Sequence, residues 1–149
     1  MSDELNEFIK KAIQREESSY QLYQKVGKET KFASARELFD MLAKEELKHK
    51  AMLENIDLEK LKAQTLNLHL DAGWDEEIQL TPLHELGVVE EVLNFAIRKE
   101  REAIANYTKM AENLREGKAK ELFIWLANEE KKHKEILTRE LKKFRSSVV

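Results

Sequence analysis

The chain has no cysteine, one proline and four glycines among its 149 residues. Without cysteine, disulfides, iron–sulfur clusters and thiolate metal sites are excluded, and a cytoplasmic location is the expectation. So little glycine and proline disfavours a sheet protein of many short strands and favours a few long helices. No apolar run approaches the ~20 residues of a membrane span. The N-terminal MSDELNEFIKKAI is amphipathic and acidic, unlike a signal peptide. No membrane association is therefore expected. Nor does charge of one sign dominate: 26 basic and 29 acidic residues are interspersed, for a net charge of −3. With no basic block, nucleic acid is not an expected partner.

What is present is one string written twice. LAKEELKHK occupies residues 42–50 and LANEEKKHK residues 126–134. The likeness extends without a gap over 12–50 and 96–134, at an offset of 84 residues, the step from Ala12 to Ala96. Ile13/Ile97, Glu16/Glu100, Tyr23/Tyr107, Phe39/Phe123, Glu46/Glu130 and His49/His133 are identical pairs. Shared core periodicity could account for the apolar matches. It does not account for the glutamates and histidines, which point to duplication or a strong common constraint.

Each copy reads as two helices. The first runs from about residue 3 to 27, ended by Gly27 and Thr30, and the second covers about 33–56. Thr81-Pro82 suits the start of a third helix, which continues to about 114. A fourth opens near Gly117 and runs to about 144. Between the hairpins, about 58–81 reads as a crossover in which Leu66, Leu68 and Leu70 alternate as in an extended segment. The expected fold is all-α: a single domain over residues 1–149, a ferritin-like four-helix bundle with one long crossover joining hairpins 3–56 and 82–144. Trp74, Trp125, Met41, Met52 and Met110 are expected to pack in its core.

Helical phase then separates the acidic residues. Leu5, Ile9, Ala12, Ile13, Tyr20 and Tyr23 gather within about 60° of Glu16, whereas Glu17 points away. Val89, Leu93, Ala96, Ile97, Ile104 and Tyr107 surround Glu100 in the same manner. On the second helix His49 is near the centre of the apolar face, with Glu45 and Glu46 about equally to either side. The fourth helix repeats that ambiguity in Glu129 and Glu130 beside His133. Height supplies another test. Glu16 and Glu46 have their midpoint at residue 31, in the first turn, so an antiparallel hairpin sets both ~22 Å from that turn. Glu100 and Glu130 share a midpoint at residue 115, beside the second turn. Four carboxylates and two imidazoles thus converge on one layer. Buried carboxylates need compensating charge, and two divalent metals would match four of them while the histidines stay neutral. Oxygen and imidazole donors suit iron or manganese, with zinc also accommodated.

At these residues the sequence resembles a ferritin-like diiron-carboxylate protein of the rubrerythrin type. The resemblance covers all four helices and rests on one Glu from each of two helices and Glu-x-x-His from each of the others, a pattern known for ferritin-like dimetal proteins. It implies Glu16, Glu46, His49, Glu100, Glu130 and His133 as ligands of two iron ions, which decides for Glu46 and Glu130 over their neighbours. It implies that Glu46 and Glu130 bridge the metals, and that Tyr23 and Tyr107 hydrogen-bond ligand carboxylates. The chain departs from rubrerythrins proper in two ways: it has no cysteine-rich rubredoxin domain, and Ala103 stands where they carry a further glutamate. The activity implied is reduction of peroxide or dioxygen with electrons from a separate donor protein. Iron handling by ferroxidation, or a non-redox scaffold retaining a structural metal, are the alternatives. A homodimer is left open.

Overall fold

The computed structural model describes residues 2–30, 33–66, 74 and 89–147. Among these, five helices are found: α1 (Ser2–Glu29), α2 (Ala33–Glu54), α3 (Leu58–Gln64), α4 (Val89–Glu112) and α5 (Lys118–Ser147). The only β feature among the described residues is an isolated antiparallel bridge between Thr65 and Leu114. No described helix is long and apolar enough to cross a membrane. The chain divides into two compact units, residues 1–62 and 63–149.

In the first unit α1 and α2 pack as an antiparallel hairpin. Their stripes follow the helical spacing: Leu5, Phe8, Ile9, Ala12, Leu22 and Tyr23 are buried on α1, and Phe39, Leu42, Ala43 and Leu53 on α2. Burying each large apolar side chain stabilises by about 1.5–3 kcal/mol, which holds the pair against its loss of chain entropy. Gly27 does not end α1, because the helix runs on to Glu29. Its role is close approach: a Cβ there would meet Asp40 Oδ1 at 3.0 Å and Phe39 Cβ at 3.4 Å. The α2 terminus tightens, with Ile56 N donating to Leu53 O at 3.3 Å, an arrangement that satisfies a terminal carbonyl.

α3 falls where a crossover without helix was expected. Asp57 Oδ1 accepts from the amides of Glu59 (3.1 Å) and Lys60 (3.2 Å), an N-terminal cap, and Leu61 supplies one buried apolar anchor. After it, Leu66 N donates to Asn113 O, and Arg115 N to Gln64 O, both at 2.8 Å. Leu68, Leu70 and the Thr81-Pro82 start signal lie outside the described residues.

In the second unit α4 and α5 form the other antiparallel hairpin. Leu93, Ala96, Ile97, Ala103, Tyr107 and Met110 are buried on α4, and Phe123, Leu126, Ala127, Leu137 and Leu141 on α5. Gly117 has φ 151°, a conformation that favours glycine. Its carbonyl accepts from Glu121 N at 3.1 Å, so it opens α5 where the sequence suggested. Trp74 is buried and meets Tyr107 edge-on, with ring centroids 5.6 Å apart. Trp125, Met41 and Met52 are not core: they are exposed by 41%, 38% and 38%. The reason is phase, since Trp125 and Met41 each precede the buried Leu126 and Leu42 and so point about 100° away.

Candidate metal centre

In the first unit the stripe of α1 is interrupted by Glu16 and that of α2 by Glu46 and His49, all three essentially without solvent exposure. His49 Nδ1 lies 3.2 Å from Glu46 Oε1 and 3.7 Å from Glu16 Oε1. The three residues offer ligand atoms within 4.8 Å of one another. Glu46 and His49 are one helical turn apart, which brings them to one face. The hairpin brings Glu16 to their level.

The second unit repeats this. Glu100, Glu130 and His133 are fully buried and offer ligand atoms within 4.8 Å of one another. His133 Nδ1 lies 3.2 Å from Glu130 Oε1 and 3.7 Å from Glu100 Oε1. The six residues expected from the sequence therefore form two triads of the same donors at the same distances. Glu45 and Glu129 are only half-buried, and Glu129 accepts from Lys132 Nζ at 2.9 Å. The structure thus places Glu46 and Glu130, not their neighbours, beside the histidines.

Two carboxylates and an imidazole in a dry hairpin are a poor set of neighbours for one another. Each triad places two carboxylates where water cannot solvate them, the first pair beside the buried Arg15 guanidinium. Oxygen and neutral imidazole donors are what a divalent transition metal takes. On that chemistry the residues fit a metal ion.

Tyr23 and Tyr107 are fully buried. Each meets the phenylalanine of the facing helix: Tyr23 and Phe39 at 6.2 Å, Tyr107 and Phe123 at 6.1 Å between centroids. Glu17 faces away from the triad, as its phase required. Lys50 Nζ donates to it at 2.8 Å and Gln21 Nε2 at 2.8 Å. The Lys50 hydrogen bond holds its carboxyl below the ordinary value, and the same bond raises Lys50. His69 and His84 lie outside the described residues.

Sequence reasoning missed Arg15. It is fully buried, and its NH1 donates to Glu46 Oε2 at 2.8 Å and to Glu16 Oε2 at 3.0 Å. A signal was available: the repeat pairs Arg15 with Lys99, also fully buried, so a basic residue precedes the inward glutamate in both copies. Lys99 Nζ sits over the Phe95 ring, 5.7 Å from its centroid. Ser19, one turn beyond Glu16, was also missed. It is fully buried, and its hydroxyl makes no hydrogen bond among the described residues.

A comparison with protein families decides the affiliation. The model of the family described as Rubrerythrin matches residues 1–66 and 91–149. The chain belongs to the rubrerythrin family. Both matched stretches contain one triad each, and the rubrerythrin fold is a ferritin-like helical bundle with a diiron domain. The all-helical character inferred from scarce glycine and proline is therefore also the family's. No curated protein and no solved structure matches the chain.

Proposed function

We propose that the two triads hold the two irons of a diiron-carboxylate protein, and that this rubrerythrin reduces peroxide or dioxygen with electrons from a separate donor protein. The observation that carries the reading is the duplicated triad itself. Two copies of Glu, Glu and His, matched at 3.2 and 3.7 Å, stand in a chain of a diiron family. Four carboxylates offset most of the charge of two divalent ions and Arg15 together, and manganese or zinc would suit the same donors.

Two ferrous ions, when bound, would supply the two electrons that, with two protons from solvent, reduce hydrogen peroxide to two waters. The protein's share is placement. Glu16 and Glu100 would each supply a carboxylate, His49 and His133 an imidazole nitrogen, and Glu46 and Glu130 the remaining carboxylates. Tyr23 and Tyr107 lie deep in the two hairpins and are assigned to hydrogen bonds that orient ligand carboxylates. The surrounding leucine, alanine and phenylalanine side chains exclude bulk water, which strengthens each ionic contact inside. No cysteine is available for a rubredoxin-type electron relay within these residues, hence the external donor.

The test is a single turnover. Ferrous protein, prepared anaerobically, is mixed with hydrogen peroxide and followed by stopped-flow absorption, beside dioxygen and a metal-depleted control. Oxidation much faster with peroxide than in buffer, and repeated cycling only when an electron carrier is added, are the expected results. Oxidation no faster than in buffer would sink the peroxidase reading and favour iron handling.

A further inference from the structure

We propose that Arg15 is a built-in counter-ion of the first triad that competes with metal for Glu16 and Glu46. The inference rests on the reading that the triads bind metal. Its basis is how the two carboxylates are divided. Arg15 NH1 holds Oε2 of Glu46 at 2.8 Å and Oε2 of Glu16 at 3.0 Å. His49 Nδ1 instead approaches Oε1 of both, at 3.2 and 3.7 Å. One edge of the carboxylate pair thus belongs to the guanidinium and the other faces the imidazole.

Three consequences follow from this division. Arginine remains charged at any pH a protein experiences, and one of its guanidinium nitrogens, Nη1, reaches both carboxylates. A cation fully buried with two carboxylates keeps them together in the absence of metal, because it offsets part of the repulsion that would drive them apart. The same cation repels a divalent ion placed on the Oε1 side, at a distance where little water screens it. Finally, a metal that draws on Oε2 of either carboxylate must share that oxygen with the guanidinium, which leaves Oε1 the better donor. Arg15 therefore assembles the first triad and at the same time weakens its hold on a divalent ion. A purely structural arginine would do only the first of these.

The two roles have opposite signs in a metal titration. Apo protein is titrated anaerobically with manganese(II) chloride, with affinity read by calorimetry and thermal melting recorded with and without manganese. Arg15→Met should lower the apo melting temperature yet bind manganese about tenfold more tightly. Its metal-induced rise in melting temperature should exceed that of wild type. Arg15→Lys, which keeps the charge, should stay near the wild-type affinity. If Arg15→Met does not fold, Arg15→Gln is read by the same criteria. Unchanged or weaker manganese binding in the neutral variant would overturn the inference while leaving the proposed function intact. Tightening by Arg15→Lys equal to that of Arg15→Met would also overturn it, because charge would not be the cause. If neither wild type nor the neutral variant binds manganese or iron, the metal-binding reading falls and this inference with it.

Discussion

The two hairpins hold the same triad in different surroundings. His49 and His133 stand at identical distances from their glutamates, and the Tyr–Phe pairs behind them differ by 0.1 Å, 6.2 against 6.1 Å. Around those points the copies diverge. Arg15 is replaced by Lys99, Ser19 by Ala103, Leu22 by Asn106 and Gly27 by Ala111, and all of these are buried in the structure. Packing alone would let ligand positions drift as freely as these neighbours have. That the carboxylates and imidazoles are the matched points indicates that a shared chemical demand sets them.

The largest expected effect breaks the symmetry directly. His133→Leu or Glu130→Ala should remove or disorder bound metal while circular dichroism still reports high helix content, because most of the buried stripe is apolar. His49→Leu should do the same from the other hairpin. If one histidine could be lost without effect on metal content, the two triads would not be equivalent in function.

Metal removal comes next. A ligand that binds only the folded state, at about 100 times its dissociation constant, stabilises by about 2.7 kcal/mol. Chelation should lower the melting temperature accordingly, and adding ferrous iron back anaerobically should restore it. An unchanged melting temperature would show that the buried carboxylates are balanced without metal.

Smaller effects sharpen the contrast at the helix contacts. Gly27→Ala pushes a Cβ to 3.0 Å from Asp40 Oδ1, whereas the matching position is already Ala111. The substitution should cost about 1 kcal/mol, within the range for mild overpacking, measured by urea unfolding. Ala111→Ser would be the poor control; Ala111→Gly, costing about 1 kcal/mol through helix propensity alone, is the better one. Gly117→Ala should also cost about 1–3 kcal/mol, from backbone strain at φ 151°, although no atom lies near its would-be Cβ.

The smallest effect is at Glu17. Glu17→Ala should leave metal content unchanged, and depletion matching that of Glu16→Ala would mean the helical phase is wrong. The Lys50 bond lowers Glu17 and raises Lys50. Its stabilisation is therefore present between the two groups' ordinary values, lost as pH falls through the lowered Glu17 value, and lost again as pH rises through the raised Lys50 value. The pair is partly exposed, so salt should weaken it. Comparing the pH dependence of wild type and Glu17→Ala by thermal melting checks this.

Much of the site could be read because its residues break a pattern. Glu16 and Glu100 are legible as charges on apolar stripes, and the hairpin midpoints at residues 31 and 115 give their height. Phase could not choose between Glu45 and Glu46, because both flank His49 by similar angles; burial in the hairpin separates them. Arg15 was hidden for a related reason. It sits at the edge of its stripe, where a long basic side chain ordinarily reaches water, and only the carboxylates of adjacent Glu16 and of Glu46 across the hairpin turn it inward. The short helix Leu58–Gln64 was missed because its seven residues span only about two turns and bury a single side chain, Leu61. Its Asp57 cap was the available signal. Trp125 and Met41 misled through composition, since their type suggested burial and their phase did not.

The central claim is that two equivalent triads make a two-metal protein. Its most direct test is the iron content of anaerobically reconstituted protein, by elemental analysis with Mössbauer spectroscopy, for wild type and His133→Leu. Two irons per chain that are magnetically coupled in the wild type, with that coupled signal lost in the variant, is the result predicted here. A single uncoupled iron per chain in the wild type, unaffected by His133→Leu, would contradict it.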